Sequence, residues 1–365
     1  MHRVKIVGLI SAAGLSSRMG VFKPLLDLEG KPLICRTVES LLDGGAEQVI
    51  VVTGRNSERI EDVLSIYPQV KIIYNAEYAQ TAMYDSVRIG LKQIDSCDAI
   101  LFLPADVPAV RPETIRLLIE EWISRKTDVL YPLYQDKHWH PPVIAGHLLP
   151  ALINYNGEYG LRGALESLCI SAAEKQVYDR ACTMDADYVE DYQALCQYWP
   201  IRDIPDDYIC EMLYKIAGTP EPVQNHCRTV AEKALALADA VEKRGIEIHR
   251  ELLYRAALLH DVCRTEKKHA EAGAKFLIQH GFYRIGELIM IHMDWPEERP
   301  VQIDEAAILY LADKLVSGNQ DMTLEQRFLQ KTEQYAGQPE TVENIRRRYR
   351  TAFAIQEMID EVCRK

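Results

Sequence analysis

No stretch of this 365-residue chain approaches the ~20 consecutive apolar residues of a membrane span, so a membrane partner is not expected. No long basic run is present either, and a net charge of -12 leaves no footprint for nucleic acid. Anionic small molecules stay open, because a local basic loop and metal ions outweigh a distant acidic surface. The nine cysteines (Cys35, Cys97, Cys169, Cys182, Cys196, Cys210, Cys227, Cys263 and Cys363) are odd in number, and none are spaced Cys-x-x-Cys. Reduced thiols in a cytoplasmic protein are therefore expected. The start of the chain does not read as a signal peptide, since its short apolar stretch runs directly into a small-residue loop. Internal repeats and low-complexity tracts are absent from the sequence.

With 48% hydrophobic residues, the chain has material for two domains, each with its own core. Residues 4–10, 48–53, 71–74, 99–104 and 129–133 read as strands, and 33–44, 57–66, 81–93 and 112–124 as helices between them. This alternation predicts an α/β fold with a mostly parallel, Rossmann-like sheet, whose ligands sit beyond the carboxyl ends of its strands. Past Asp206 the strand-like runs vanish. Helical periods follow over 223–243, 250–259, 268–280, 305–316 and 341–362. The last puts Ile345, Tyr349, Ala352, Phe353, Ile355 and Ile359 on roughly one face, with Gln356 the polar exception. Two prolines and several charges over 198–205 place the boundary there. The expected domains are residues 1–200 and an all-α segment, 201–365.

The segment after the first strand reads Ser11-Ala12-Ala13-Gly14-Leu15-Ser16-Ser17-Arg18-Met19-Gly20, with Lys23 close behind. Small residues after a strand let backbone amides close on a phosphate. Arg18 can fork two phosphate oxygens, and Lys23 adds a point charge. The stretch has neither the Gly-Lys-Ser/Thr ending of a P-loop nor the spacing of a dinucleotide fingerprint. Downstream, Asp106 stands at a strand's carboxyl end between Pro104 and Pro108, as a hard oxygen donor facing the phosphates would. A turn aspartate bonding its own backbone is the other reading.

Ala12, Ala13, Gly14, Ser16, Arg18, Met19, Gly20, Lys23, Leu25 and Leu26 resemble the signature of the MobA-like nucleotidyltransferases that finish the molybdenum cofactor. The resemblance runs from about residue 4 to 198. It implies nucleotide binding by Ala12, Ala13, Gly14, Ser16, Arg18, Lys23, Asn75 and Ser86, and catalysis by Arg18, Lys23 and Asp106. Alanine at position 13 goes with cytidylyl rather than guanylyl transfer in that family, so CTP is the expected substrate. Asp106 would hold Mg2+, and Asp185 or Asp187 could complete the site; an acidic first helical turn is the other reading of that pair. Gly157 to Arg162 and Pro141-Pro142-Val143, with His140 beside it, resemble the segments that shape the acceptor pocket. Glu158 stands for an aspartate, Pro141 for a histidine or asparagine, and Thr81 for a glycine. The implied reaction is attack of an acceptor phosphate on the α-phosphorus of the nucleotide, with release of pyrophosphate. A molybdopterin-type acceptor is expected, with a sugar or alditol phosphate as the alternative. Partners would be these small molecules and molybdoenzyme maturation proteins.

In the helical half, His260-Asp261 ends the apolar run Ala256-Ala257-Leu258-Leu259. Burying that pair is costly unless it binds something. With His226 upstream and His269, His292 and Asp313 downstream, imidazoles and carboxylates from separate helices can hold one or two transition metals. This order resembles the HD phosphohydrolase superfamily. By that resemblance, His226, His260, Asp261 and Asp313 are primary ligands, and His269 and His292 ligate a second metal. Manganese, iron, nickel and zinc all suit the set. A non-catalytic sensor is the alternative role. His249 and His280 read as surface residues, and Cys227 and Cys263 as core. Arg264, Lys267 and Lys268 read equally as phosphate contacts or as a solvated face.

Overall fold

The computed structural model describes residues 4–14 and 19–364. It divides into two compact units, Met1–Arg202 and Asp203–Lys365, each described by itself.

The strands of the first unit are β1 (Ile6–Ala12), β2 (Asp27–Leu28), β3 (Lys31–Pro32), β4 (Gln48–Thr53), β5 (Val70–Tyr74), β6 (Ala99–Pro104), β7 (Val129–Tyr134), β8 (Lys137–His138), β9 (Val143–Ala145) and β10 (Ala172–Gln176). Its helices are α1 (Leu33–Asp43), α2 (Ser57–Leu64), α3 (Met83–Leu91), α4 (Pro112–Arg125), α5 (Leu149–Asn154), α6 (Gly160–Glu166) and α7 (Val189–Tyr198). The main sheet runs β10-β7-β9-β6-β1-β4-β5, with β8 against β7, while β2 and β3 form a separate hairpin. The pairs β1–β4, β1–β6, β4–β5 and β7–β10 are parallel. The short β9 runs antiparallel to both β6 and β7.

Helices cover both faces of the sheet, which is why β1, β4 and β6 are almost unbroken apolar runs. On one face Leu9 and Val52 pack under α3. Gly90 permits that approach, since a Cβ there would lie 2.5 Å from Leu9 Cδ1. On the other face Leu41 of α1 lies over Gly8. β1 runs to Ala12, two residues past the expected end at 10, because Ser11 pairs with Pro104 and Ala12 with Thr53.

The second unit is helical: α8 (Asp207–Ala217), α9 (Glu221–Glu242), α10 (Arg250–Leu259), α11 (His269–Gln279), α12 (Tyr283–Met290), α13 (Glu305–Lys314), α14 (Leu324–Gln334) and α15 (Pro339–Arg364). A two-residue hairpin, β11 (Val316–Ser317) with β12 (Gln320–Asp321), interrupts it. The long α9 packs against α10 and α13, and α12 against α10 and α11. Among the described residues no helix is long and apolar enough to cross a membrane.

Candidate active sites

The pairing of Ser11 with Pro104 sets the loop after β1 beside the exit of β6, where Ala105 N donates to Ser11 O at 3.3 Å. Asp106 follows. Lys23 sits in a short 3₁₀ turn, its Nζ 2.6 Å from Asp187 Oδ1 and 3.9 Å from Asp106 Oδ2. Asp185 and Asp187 arrive on the segment after β10, where Ala186 N donates to Asp106 O at 2.9 Å. Upstream that segment is pinned by Asp179, 1% exposed, which accepts from Arg111 N (2.8 Å), Thr114 Oγ1 (2.8 Å) and Ala181 N (3.0 Å). Lys23, Asp106, Asp185 and Asp187 line one cavity of about 560 Å³ with Ala12 and Gly14.

Three carboxylates crowd this ammonium. Burial raises the pKa of Asp106, and Asp187 adds to the rise while Lys23 opposes it. Burial raises Asp185 as well, followed by the charges of Asp187 and Asp106. Hard oxygen donors under mutual repulsion fit a small divalent cation such as magnesium. A carboxyl with a raised folded pKa contributes stability in its protonated form, which is lost as pH rises through that pKa. Without divalent ions at pH 7, Asp106→Asn should raise the melting midpoint of the first unit by a few degrees, the scale of about 1 kcal/mol in a domain of this size. It should also erase the further rise that magnesium gives the unsubstituted chain. Lower melting, or an undiminished magnesium response, would remove Asp106 from the site.

His140 lines this cavity and an adjoining one bounded by Tyr131, His138, Trp139, Arg162 and Asp185. Its Nδ1 is buried without a hydrogen-bond partner among the described residues, and burial lowers its pKa. Arg162 pairs with Glu166 at 2.7 Å.

In the second unit the ends of helices converge. His226 comes from the start of α9, His260 and Asp261 from the end of α10, and His269 opens α11. His292 follows α12, and Asp313 is near the end of α13. His260, Asp261 and His292 are 0%, 3% and 1% exposed. Yet His260 Nε2, Asp261 Oδ1 and His292 Nε2 lack hydrogen-bond partners among the described residues. Their separations explain why. His260 Nε2 lies 3.7 Å from Asp261 Oδ2 and 3.6 Å from Asp313 Oδ1, and His292 Nε2 lies 3.5 Å from Asp261 Oδ1. His269 Nε2 is 3.2 Å from Asp261 Oδ1, and His226 Nε2 is 3.4 Å from Asp313 Oδ1. Two ligands bound about 2.1 Å from one ion sit roughly 3.0–3.4 Å apart; the 3.2 and 3.4 Å spacings fall in that range, and those of 3.5, 3.6 and 3.7 Å, slightly beyond it, are too long for good hydrogen bonds.

The other ring nitrogens support that reading. Nδ1 of His260, His292 and His226 faces the carbonyls of Ala257 (2.7 Å), Ile289 (2.6 Å) and Gly318 (2.9 Å). A carbonyl only accepts, so each Nδ1 carries a proton and each Nε2 is the nitrogen left facing the cluster, the one that a metal would bind in place of a proton. His226, His260 and Asp261 form one group able to hold an ion, and Asp261, His269 and His292 form another, with Asp261 common to both. Burial holds His269 down to about 4 and lowers His292, which keeps both neutral. Burial opposes ionising Asp313, but Lys314, His226 and His260 pull its pKa well below the usual range.

Not every expected site residue is found in these two clusters. Arg18 and Ser16 lie outside the described residues. Asn75 and Ser86 are not among the residues lining the cavity around Lys23 and Asp106. They are 2% and 3% exposed, and Asn75 Nδ2 donates to Ser86 Oγ and Thr81 Oγ1, both at 3.0 Å, as a clamp on the loop before α3. Cys227 is buried as expected, and its thiol lies against His260. His249 and His280 are half-buried, not surface residues. His249 Nδ1 accepts from Leu252 N at 3.3 Å, and the His280 ring packs 4.5 Å from Phe276. Lys268 faces solvent beside Glu271, and Lys267 is exposed, whereas Arg264 lines the histidine cavity. The sequence reading passed over Lys314. Its buried Nζ donates to His292 O at 2.6 Å and to Asp313 Oδ2 at 3.2 Å, tying two ligand segments together. A lysine next to a ligand aspartate in an otherwise apolar helix was the available signal.

Residues 8–175 match the family model of the MobA-like NTP transferase domain, and residues 223–318 match that of the HD domain. The chain is 32% identical over 127 residues to the bifunctional protein GlmU of Caldanaerobacter subterraneus subsp. tengcongensis, covering 34% of this chain and 27% of that protein. It is 27% identical over 157 residues to the molybdenum cofactor cytidylyltransferase of Escherichia coli K12, covering 43% of this chain and 79% of that one. The chain thus spans little more than a quarter of GlmU. A solved nucleotidyl transferase from Methanothermobacter thermautotroptrophicus is similar with a TM-score of 0.47 and 24% identity, over 54% of this chain and 98% of that one. Lys23 and Asp106 fall within the first match, Asp185 and Asp187 just beyond it, and all six histidine-site residues within the second.

Proposed function

We propose that this chain, which joins a MobA-like nucleotidyltransferase domain to an HD domain, transfers CMP from CTP to a molybdopterin-type phosphate and hydrolyses a phosphate ester at its second site. The observation that carries the first half is Lys23 set between Asp187 and Asp106 in the cavity beyond β1 and β6. An oxygen of the acceptor's terminal phosphate attacks the α-phosphorus, and the bond to the β-phosphate breaks to release pyrophosphate. Asp106, with Asp185 and Asp187, would hold magnesium, which neutralises phosphate charge when bound. Lys23 offsets the charge that develops as pyrophosphate leaves. Ala12 and Gly14 line the cavity, and their small size would let a nucleotide approach the main chain there. Ala13 supports CTP over GTP. The cavity beside His140 is the natural place for the acceptor. Transfer to a sugar or alditol phosphate is the second reading, favoured by the departures at Pro141 and Glu158. Pyrophosphate release, measured with each nucleoside triphosphate against molybdopterin and against sugar and alditol phosphates, separates them. CTP with molybdopterin should be fastest, and no release with any acceptor would refute transfer.

In the second half, His226, His260, Asp261 and Asp313 would hold a divalent transition metal, and His269 and His292 would complete a second position around Asp261. Manganese, iron, nickel or zinc there would lower the pKa of a water and polarise a phosphate oxygen. The chain itself fixes the ring tautomers through three carbonyls and steadies Asp313 through Lys314. A cytoplasmic setting, with molybdoenzyme maturation proteins as recipients of the product, belongs to the same reading.

A further inference from the structure

The helices α14 and α15 lie beyond residues 223–318, yet they wall one side of the cavity over the histidine cluster. α14 turns Arg327, Lys331 and Tyr335 toward it, at i, i+4 and i+8 on one face. α15 adds Ile345, Arg348 and Tyr349. Most cations of this cavity already have a carboxylate. Arg348 grips Asp294 at 2.7 and 2.6 Å, Lys314 meets Asp313, and Arg264 lies 3.6 Å from Asp261. Arg327 and Lys331 differ: among the described residues neither has a carboxylate at ion-pair distance. Arg327 faces the Tyr349 hydroxyl, and Lys331 reaches the Gln334 amide oxygen at 3.4 Å.

Both side chains are half-buried. Burial lowers the pKa of Lys331, and the charges of Arg327 and Arg264 lower it further, against a smaller opposing pull from Asp313. Like charges one helical turn apart repel, and desolvation adds to the cost unless a counter-charge arrives. Asp313 acts on Lys331 only from beyond ion-pair distance, so in a chain with 54 acidic against 42 basic residues this pair, with no carboxylate in contact among the described residues, marks a place for an outside anion. The cavity, about 750 Å³, is far larger than one phosphate and includes Met293, Tyr335 and Tyr349 as surface for an organic group.

We propose that Arg327 and Lys331 form a second anion subsite across the cavity from the histidine–aspartate cluster, so that the substrate of this site is a phosphate ester bearing a second phosphate. This rests on the phosphohydrolase reading given above. The cluster takes the phosphate to be cleaved, and α14 holds the one that stays. A monophosphate satisfies only one end.

The full-length chain loaded with manganese is assayed with adenosine 5′-monophosphate and adenosine 3′,5′-bisphosphate. The melting midpoint is titrated separately with each. The bisphosphate should be preferred about 10- to 100-fold in kcat/KM, the range of one or two charge-assisted contacts. It should also stabilise the chain at correspondingly lower concentration. Both preferences should collapse toward one in R327Q/K331Q and persist in R327K/K331R, which keeps both charges. Equal treatment of the two nucleotides by the unsubstituted chain overturns the subsite, as does a preference that survives R327Q/K331Q. If neither nucleotide is hydrolysed while the bisphosphate still stabilises through Arg327 and Lys331, the phosphohydrolase reading fails and the subsite stands.

Discussion

Lys23→Ala should reduce pyrophosphate release from CTP by about 10²–10³-fold in kcat, the usual effect of deleting one preorganised electrostatic donor. Lys23 is 9% exposed, and its ammonium lies between two carboxylates from different segments. Without it, Asp106, Asp185 and Asp187 face one another with less compensation and with no ammonium competing for them, so less magnesium should be needed to reach half-maximal rate. The two effects then part: kcat falls through weaker neutralisation of the leaving pyrophosphate, while the metal site fills at lower magnesium. Lys23→Arg keeps the charge but not the compact ammonium, and should recover only part of the rate. Initial rates at saturating CTP over a magnesium series would read both effects. A rate within twofold of the unsubstituted chain would show that Lys23 does not face the triphosphate.

His260→Ala with Asp261→Ala should abolish phosphate-ester hydrolysis, a loss of about 10³-fold or more, since a metal-dependent hydrolase without its ion retains little catalysis. Asp261 is common to both groups able to hold an ion, so this pair of changes removes ligands from each. Metal analysis of the purified variant should find the transition metal gone, while CTP-dependent pyrophosphate release stays within about twofold. Retained hydrolysis would displace the reaction from this cluster. If the unsubstituted chain hydrolyses no ester and the double variant changes only how the first activity is regulated, the second unit is a sensor. The substitution also removes two buried polar side chains that the metal-free fold leaves unsatisfied. A metal-free variant no less stable than the metal-free parent would be consistent with that burial being maintained for binding.

The sheet of the first unit is legible because β1, β4, β6 and β7 are apolar runs bounded by polar turns. β9 has only three residues, and β10, Ala-Ala-Glu-Lys-Gln, carries no apolar signal, so both escape a pattern-based reading. In the second unit, α9, α10, α11, α13 and α15 have helical periods. α14 buries only Leu324, which leaves its sequence with no apolar stripe to find. The histidine cluster could be read because burying several imidazoles and carboxylates is too costly without a purpose. The roles of Asn75 and Ser86 could not, because a buried side chain bonding its neighbours and one facing a ligand use the same residue types. Lys314 ties His292 and Cys227 lies against His260 through contacts remote in sequence, which a linear pattern does not encode.

The amide of Ala186 donates to the carbonyl of Asp106, and Asp179 fastens the start of the same segment to the beginning of α4. The acids on either side of Ala186 are thereby harnessed to the tip of a central strand. Lengthening the connection between Asp179 and Ala186 by even one residue would change the spacing of the whole acidic trio, although the insertion itself touched no substrate. Drift in the length of that short tether should be far less tolerated than drift in its composition.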